Sequence, residues 1–323
     1  MSDRQGWTRL GRVMQTPDVL VLGGGGILGE AWMSAVLAGL DEAKGLNVRE
    51  CGSYVGTSAG SIVAASLVAG LPPGSRIGVP PASPPVTPGE SGEHVNALRH
   101  AFGAAAEFAG AAAAPLASLA FASTTGGGAL IRRTLLRRVT PGSRSLAELG
   151  RMMEQSGVRW DGRLRIVAVE LETGRRVVFG APGAPEISVA KAVQASCAIP
   201  GVFRPVLVGG QSYVDGGVWS PTNLDTAEVT GGEQVLCLNP TGSLRPASGT
   251  LAGAFGRVSR GIAATEALVV RDRGASVTAV NPDEASSVAM GANLMDPTRR
   301  DAVIVAGLAQ GRRLAADRER PAA

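Results

Sequence analysis

Histidine, lysine, cysteine and aromatic side chains are all scarce in this sequence of 323 residues, and each scarcity removes a class of function. The two histidines, His94 and His100, lie in the first third of the chain. A hydrolase triad in the chain order serine, acid, histidine is therefore excluded, and a triad using either one has to recruit it from a Pro/Ala-rich stretch. The three cysteines, Cys51, Cys197 and Cys237, are odd in number and lack C-x-x-C spacing, which argues against a disulfide framework or a zinc site. They read as small apolar fillers in a reducing compartment. Two of the 31 basic residues are lysines, Lys44 and Lys191, and the arginines are spread along the chain. With a net charge of +4 and no basic run interleaved with aromatics, nothing supports nucleic-acid binding. The dispersed arginines fit a codon bias, or a surface that attracts anionic lipid. Long apolar runs are missing too. Val19–Leu22 is far too short to span a bilayer, and the first seventeen residues carry no secretory signal. The expectation is a cytosolic protein, with peripheral membrane contact as the further option.

What is present is an ordinary globular composition, 45% hydrophobic and 18% charged, which rules out disorder throughout. Aromatics at 4% leave the core to Ala, Val, Leu and Ile. A polar tail over 1–16 precedes a domain over 17–320. Asp18–Leu22 reads as a buried parallel strand, Glu30–Lys44 as a helix, Gly52–Thr57 as a second strand and Ser61–Ala69 as a second helix. That alternation predicts an α/β fold with a mostly parallel sheet covered on both faces. Residues 72–127 interrupt it with seven prolines before position 89 and an Ala-rich stretch, Ala101–Ala122. They are expected to form an insertion beside the site, either a packed helical hairpin or a lid. Regular structure resumes with a hairpin, Leu164–Leu171 and Arg175–Phe179, then a helix at Ser188–Ala195. Strands follow at Gln234–Leu238 and Ser276–Val280, and helices at Arg257–Asp272 and Arg299–Ala316.

The pentapeptide Gly56-Thr57-Ser58-Ala59-Gly60 falls between the second strand and the second helix. A chain passing from strand to helix with almost no loop must bend sharply at its middle residue. Glycine at 56 and 60 removes the side chains that would collide, and the bend pushes the serine hydroxyl out at the carboxyl end of the sheet. Ser58 is the candidate nucleophile. With histidine excluded from the usual place, the candidate base is Asp215 in Ser212-Tyr-Val-Asp-Gly-Gly217. There Gly216 and Gly217 let the backbone turn tightly and bring the carboxylate to a neighbouring loop. The run Gly23-Gly-Gly-Gly-Ile-Leu-Gly29 opens the first helix. Its exposed amides at Gly24, Gly25, Gly26 and Gly29 are candidate oxyanion donors. The same run fits the dinucleotide fingerprint Gly24-x-Gly26-x-x-Gly29, so an oxidoreductase stays open at this point. Against it, Glu50 precedes the second strand instead of ending it.

These pieces in this order resemble the patatin-like phospholipase family. The resemblance is carried by Gly24–Gly29, by Gly56–Gly60, by Asp215-Gly216-Gly217 and by the stretch Ala195–Pro205, over roughly residues 17–230 with 72–127 left out. It implies a three-layer α/β/α fold, a Ser58–Asp215 dyad, an oxyanion hole from the glycine run and a lipid or phospholipid substrate. It implies no metal or cofactor for the chemistry. One departure stands out: the family's glycine loop usually carries Arg or Lys where this chain has Leu28, which bears on phosphate recognition. A non-catalytic lipid-binding protein on the same fold is the remaining alternative.

Overall fold

The computed structural model describes residues 16–42, 46–78, 128–243 and 251–319. Both histidines, most of the proline-dense stretch and all of Ala101–Ala122 lie outside the described residues, so the insertion and lid expectations fall there too. In chain order the elements are β1 (Val19–Leu22), α1 (Gly26–Asp41), β2 (Ser53–Thr57), α2 (Ala59–Val68), α3 (Gly128–Leu136) and α4 (Ala147–Gln155). Then come β3 (Leu164–Glu170), β4 (Arg176–Phe179), α5 (Val189–Ser196), β5 (Val206–Val208) and β6 (Gln211–Asp215). The chain closes with β7 (Gln234–Leu238), α6 (Leu251–Asp272), β8 (Ser276–Val280), α7 (Glu284–Met290) and α8 (Arg300–Glu319).

The eight strands form one sheet in the order β5–β6–β3–β2–β1–β7–β8, with β4 also paired to β3. From β3 to β8 the pairing is parallel, while β4, β5 and β6 add antiparallel partners at one side. Side chains alternate between two cores, as period-2 geometry requires. Leu20, Leu22, Tyr54, Ile166, Ala168 and Leu236 face the layer of α1, α2, α4, α5 and α8. Val19, Val21, Val55, Val167, Val235 and Cys237 face α6. Three layers result. The three cysteines are free and buried.

Several boundaries differ from the sequence reading. α1 begins at Gly26 and α2 at Ala59, each a few residues earlier than hydrophobic spacing suggests, because both helices start inside a glycine motif that carries no apolar periodicity. α1 is buried on every side from Ile27 to Leu40, since α2, α8 and the sheet enclose it. α3, α4, β5 and α7 were not anticipated. β5 is only three residues long, and its weak alternation gives no sequence signal. α3 is pinned by Arg132, whose guanidinium lies 4.0 Å over the Trp219 ring and donates to Gly174 O at 2.6 Å.

Candidate active site

The sheet's pairing pattern brings the two candidate residues together. β2 pairs with β3 up to Thr57 opposite Val167, and β6 takes up pairing with β3 from Asp215 opposite Ala168. The residues flanking β3 serve the two partners: Arg163 O, just before it, accepts from Tyr54 N, and Leu171 N, just after it, donates to Ser212 O. β2 and β6 thus approach each other head-on along one edge of β3. The residue after the end of one strand, Ser58, meets the last residue of the other, Asp215.

Ser58 Oγ donates to Asp215 Oδ2 at 2.6 Å. That length lies at the short end of the O–H···O range. The other carboxylate oxygen, Oδ1, accepts from Gly217 N at 2.7 Å, so the glycine that follows the acid also orients it. Asp215 N in turn donates to Ala198 O at 3.0 Å. Asp215 is 3% exposed and Ser58 9%. Burial pushes the Asp215 pKa up to about 7, against the pull of the Ser58 hydroxyl and the Gly217 amide in the other direction. The carboxyl therefore changes its protonation state near neutral pH.

Ser58 sits at φ 51°, one of two non-glycine residues with positive φ among the described residues. The strain follows from the elbow and is held by neighbours. Ser58 O accepts from Ser61 N at 2.8 Å and Ser61 Oγ at 2.6 Å. Ser58 N donates to Ser196 Oγ at 2.8 Å, and Ser196 Oγ donates to Val167 O at 2.6 Å, at the junction between β2 and β6. A Cβ on Gly56 would stand 2.5 Å from Ser61 Cα, and one on Gly60 would collide with the Leu22 carbonyl. A Cβ on Gly216 would meet Val167 O.

The other residue with positive φ, Asn223, braces the same corner. Its Nδ2 donates to Thr57 Oγ1 at 3.1 Å and Gly216 O at 3.3 Å. Buried Glu266 holds this loop through Thr222 Oγ1 and Leu224 N, at 2.5 and 2.9 Å. Its own pKa is raised to about 7, by burial and by Asp225. Cys197 lies 3.9 Å from Ser61 Oγ. Burial and the charge of Asp215 drive its pKa well above the ordinary thiol value, so it stays a thiol and does not compete as a nucleophile.

The glycine run lies beside the serine: a Cβ on Gly24 would be 3.4 Å from Ser58 Cβ. Of the four glycines expected to supply oxyanion donors, two are corrected. Gly24 N donates to Pro221 O and Gly29 N to Gly25 O, both at 2.8 Å, so neither amide is available. The amides of Gly25 and Gly26 have no protein acceptor among the described residues. Gly26, at φ 60°, lines a small pocket together with Ser58 and Ala59. The dinucleotide reading loses its acidic partner. Glu50 is exposed, accepts from Asn47 Nδ2 at 2.8 Å and precedes β2. Because β1 and β2 are parallel, it stands at the end of the sheet opposite to the glycine run.

The patatin-like phospholipase family model matches residues 111–228. The chain's likeness is to the patatin-like phospholipases. This is a family of lipid acyl hydrolases, and the match supports that activity at family level. The matched stretch covers little more than a third of the chain and contains Asp215, Ser196 and the Ala195–Pro205 loop, whereas Ser58 and the glycine run precede it. It also reaches into 111–127, residues that sequence reading assigned to an insertion outside the patatin-like resemblance. Among curated proteins, none matches the chain. Among solved structures the chain is similar to VipD from Legionella pneumophila, at 15% identity and a TM-score of 0.41, over 93% of this chain and 67% of that one. So distant a likeness leaves the patatin-like chemistry to be argued from the site itself. No helix among the described residues is long and apolar enough to cross a membrane.

Ser196 and Asn223 were missed as site residues. Ser196 stood in the Ala195–Pro205 stretch that carried the patatin-like resemblance, but its partner atoms are a main-chain amide and a main-chain carbonyl far away in the chain. Asn223 has no motif around it.

Proposed function

We propose that the protein is a serine acyl-hydrolase that cleaves lipid acyl esters through a Ser58–Asp215 dyad. The observation that carries the reading is the 2.6 Å hydrogen bond between Ser58 Oγ and Asp215 Oδ2 in a buried corner beside the amides of Gly25 and Gly26, which have no protein acceptor among the described residues. Asp215 takes the hydroxyl proton as Ser58 attacks the ester carbonyl. The amides of Gly25 and Gly26 stabilise the tetrahedral oxyanion, each such donor being worth about 10²–10³-fold in rate. Asp215 then returns the proton to the leaving alkoxide, giving an acyl-enzyme. In the second half the same carboxylate activates a water that releases the acid. Leu28 is fully buried, and its amide donates to Leu294 O at 3.0 Å. The position that holds a cation in related glycine loops therefore offers a phosphate nothing here, so the reading is of an acyl-ester hydrolase that does not require a phosphate.

A fluorophosphonate tests this without knowledge of the lipid, since it traps an activated serine as a tetrahedral adduct. The adduct is expected on Ser58. Its rate constant should rise about tenfold per pH unit below pH 7 and level off above it, because Asp215 acts as base only when ionised and its pKa is about 7. Glu266 titrates in the same range, so Glu266→Gln is the control and should keep the limb in place. An unlabelled Ser58 in folded protein, or a limb that vanishes in Glu266→Gln, contradicts the reading.

A further inference from the structure

We propose that Asn223 and Arg176 are positioning residues for the base, and that together they hold the Gly216–Gly217 peptide with its N–H turned toward Asp215. This rests on the hydrolase reading above and deepens it by naming what aims the hydrogen-bond donor of the catalytic carboxylate.

The moving part is a single peptide unit. A trans peptide is planar, with C=O and N–H on opposite edges, so whatever holds one edge aims the other. The N–H edge is Gly217 N, which donates to Asp215 Oδ1 at 2.7 Å. The C=O edge is Gly216 O, which accepts from Trp219 N at 3.0 Å and from Ser220 N and Asn223 Nδ2, both at 3.3 Å. The first two donors belong to the same short turn and move with it. Asn223 ties the turn to the nucleophile's side of the corner, because its Nδ2 also donates to Thr57 Oγ1 at 3.1 Å. A peptide between two glycines meets little steric resistance to turning over. Turned over, it would face the carboxylate with a carbonyl instead of an amide.

Asn223 can act in this way with its amide in one orientation. Its Nδ2 faces Thr57 Oγ1, Gly216 O and Ser220 O, the last at 2.8 Å. Reversed, the amide oxygen would meet two carbonyls. Arg176 fixes the choice: its Nη1 donates to Asn223 Oδ1 at 3.2 Å. A guanidinium is always a donor and never an acceptor, so the amide stays locked at any pH at which the base titrates. Arg176 is held in turn by both oxygens of Asp225, at 2.6 and 2.7 Å, and by the Trp219 ring, 4.9 Å from its guanidinium carbon.

The Gly217 amide favours the ionised form of Asp215, so losing it raises the pH at which the base becomes active. The other titratable or charged groups around this corner are Cys197, Glu266, Asp225 and Arg132, the last also over Trp219. Cys197 stays a thiol, and the Glu266→Gln control above separates the second carboxyl from the limb.

The test is the pH dependence of fluorophosphonate labelling at Ser58 in the full-length protein, in Asn223→Gly, in Arg176→Met and in the double variant. Position 223 has φ 50° and ψ 33°, which glycine adopts without strain, so the first variant removes the amide alone. Each single variant is expected to move the limb upward by about one pH unit or more, the worth of a hydrogen bond to a charged group. The double variant should move it no further than Asn223→Gly, because Arg176 acts through the amide. A limb that stays in place in either folded single variant overturns the proposal. So does a double variant whose shifts add, since Arg176 would then act by its charge alone. Arg176→Met, at a part-exposed position, decides alone where Asn223→Gly does not fold. Absence of labelling at Ser58 in the unmodified protein overturns the hydrolase reading itself, and this assignment falls with it.

Discussion

Replacing Ser58 by alanine is expected to lower ester hydrolysis by about 10⁴-fold or more, equivalent to roughly 5 kcal/mol of transition-state stabilisation. Asp215→Ala should cost about as much, and the double variant little more than either single one. The reason is geometric. Both halves of the proposed reaction pass a proton between the same two side chains, joined at 2.6 Å. No histidine occurs among the described residues to take over, and the nearby thiol of Cys197 is held protonated by burial. With either partner gone, the other has nothing to exchange a proton with. What remains is binding and the oxyanion donors, which supply the residual rate. Steady-state kinetics of purified, folded variants on a soluble ester check this. Full activity in Asp215→Ala would remove the base from the account, and an additive double variant would mean that the two residues act separately.

Gly60→Ala carries the second large effect, this time on folding. The strand-to-helix bend at Ser58 lays the first turn of α2 against the end of β1, so a methyl at position 60 would collide with Leu22 O. The obstacle is backbone inside a sheet, paired on both sides through the β1–β2 and β1–β7 registers, and it cannot swing away as a side-chain tip would. Overpacking of this kind typically costs 1–3 kcal/mol, and a rigid backbone obstacle belongs at or above the upper end. For a chain of this size about 3 kcal/mol corresponds to a fall in Tm of roughly 4–5 °C. Thermal unfolding of Gly60→Ala beside Gly70→Ala is the comparison. Gly70 has open space around it, so its substitution meets only the strain of its φ of 83°. An unchanged Tm in Gly60→Ala would mean that the elbow is looser than described.

Parts of this site were legible in the sequence because the constraint is local. A strand, a glycine-flanked serine and a helix in immediate succession admit few backbone paths, and Ser58 follows from them. Asp215 was legible through the two glycines behind it, one of which turns out to bind its carboxylate. The β1, β2, β7 and β8 strands were readable as short apolar runs between turn signals. What escaped was fixed by contacts distant in the chain. Ser196 acquires its place by joining Ser58 N to Val167 O, and Asn223 by reaching Thr57 and Gly216; neither contact leaves a local pattern. The commitment of the Gly24 amide to Pro221 O was equally invisible, so four equivalent glycines became two. α1 and α2 start earlier than periodicity implies because their first turns are specified by the site. The buried ion cluster of Glu30 with Arg76 and Arg300 joins three separate stretches of chain and leaves no local pattern either.

The central claim is that the acyl group passes through a covalent bond to one particular hydroxyl. Mixing the enzyme with p-nitrophenyl butyrate, quenching in acid within the first turnovers and mapping the mass of the peptides tests it most directly. The account predicts a butyryl increment on the peptide containing Ser58, formed together with a burst of nitrophenol and absent in Ser58→Ala. An increment on a different residue, or Ser58-independent turnover, would contradict it.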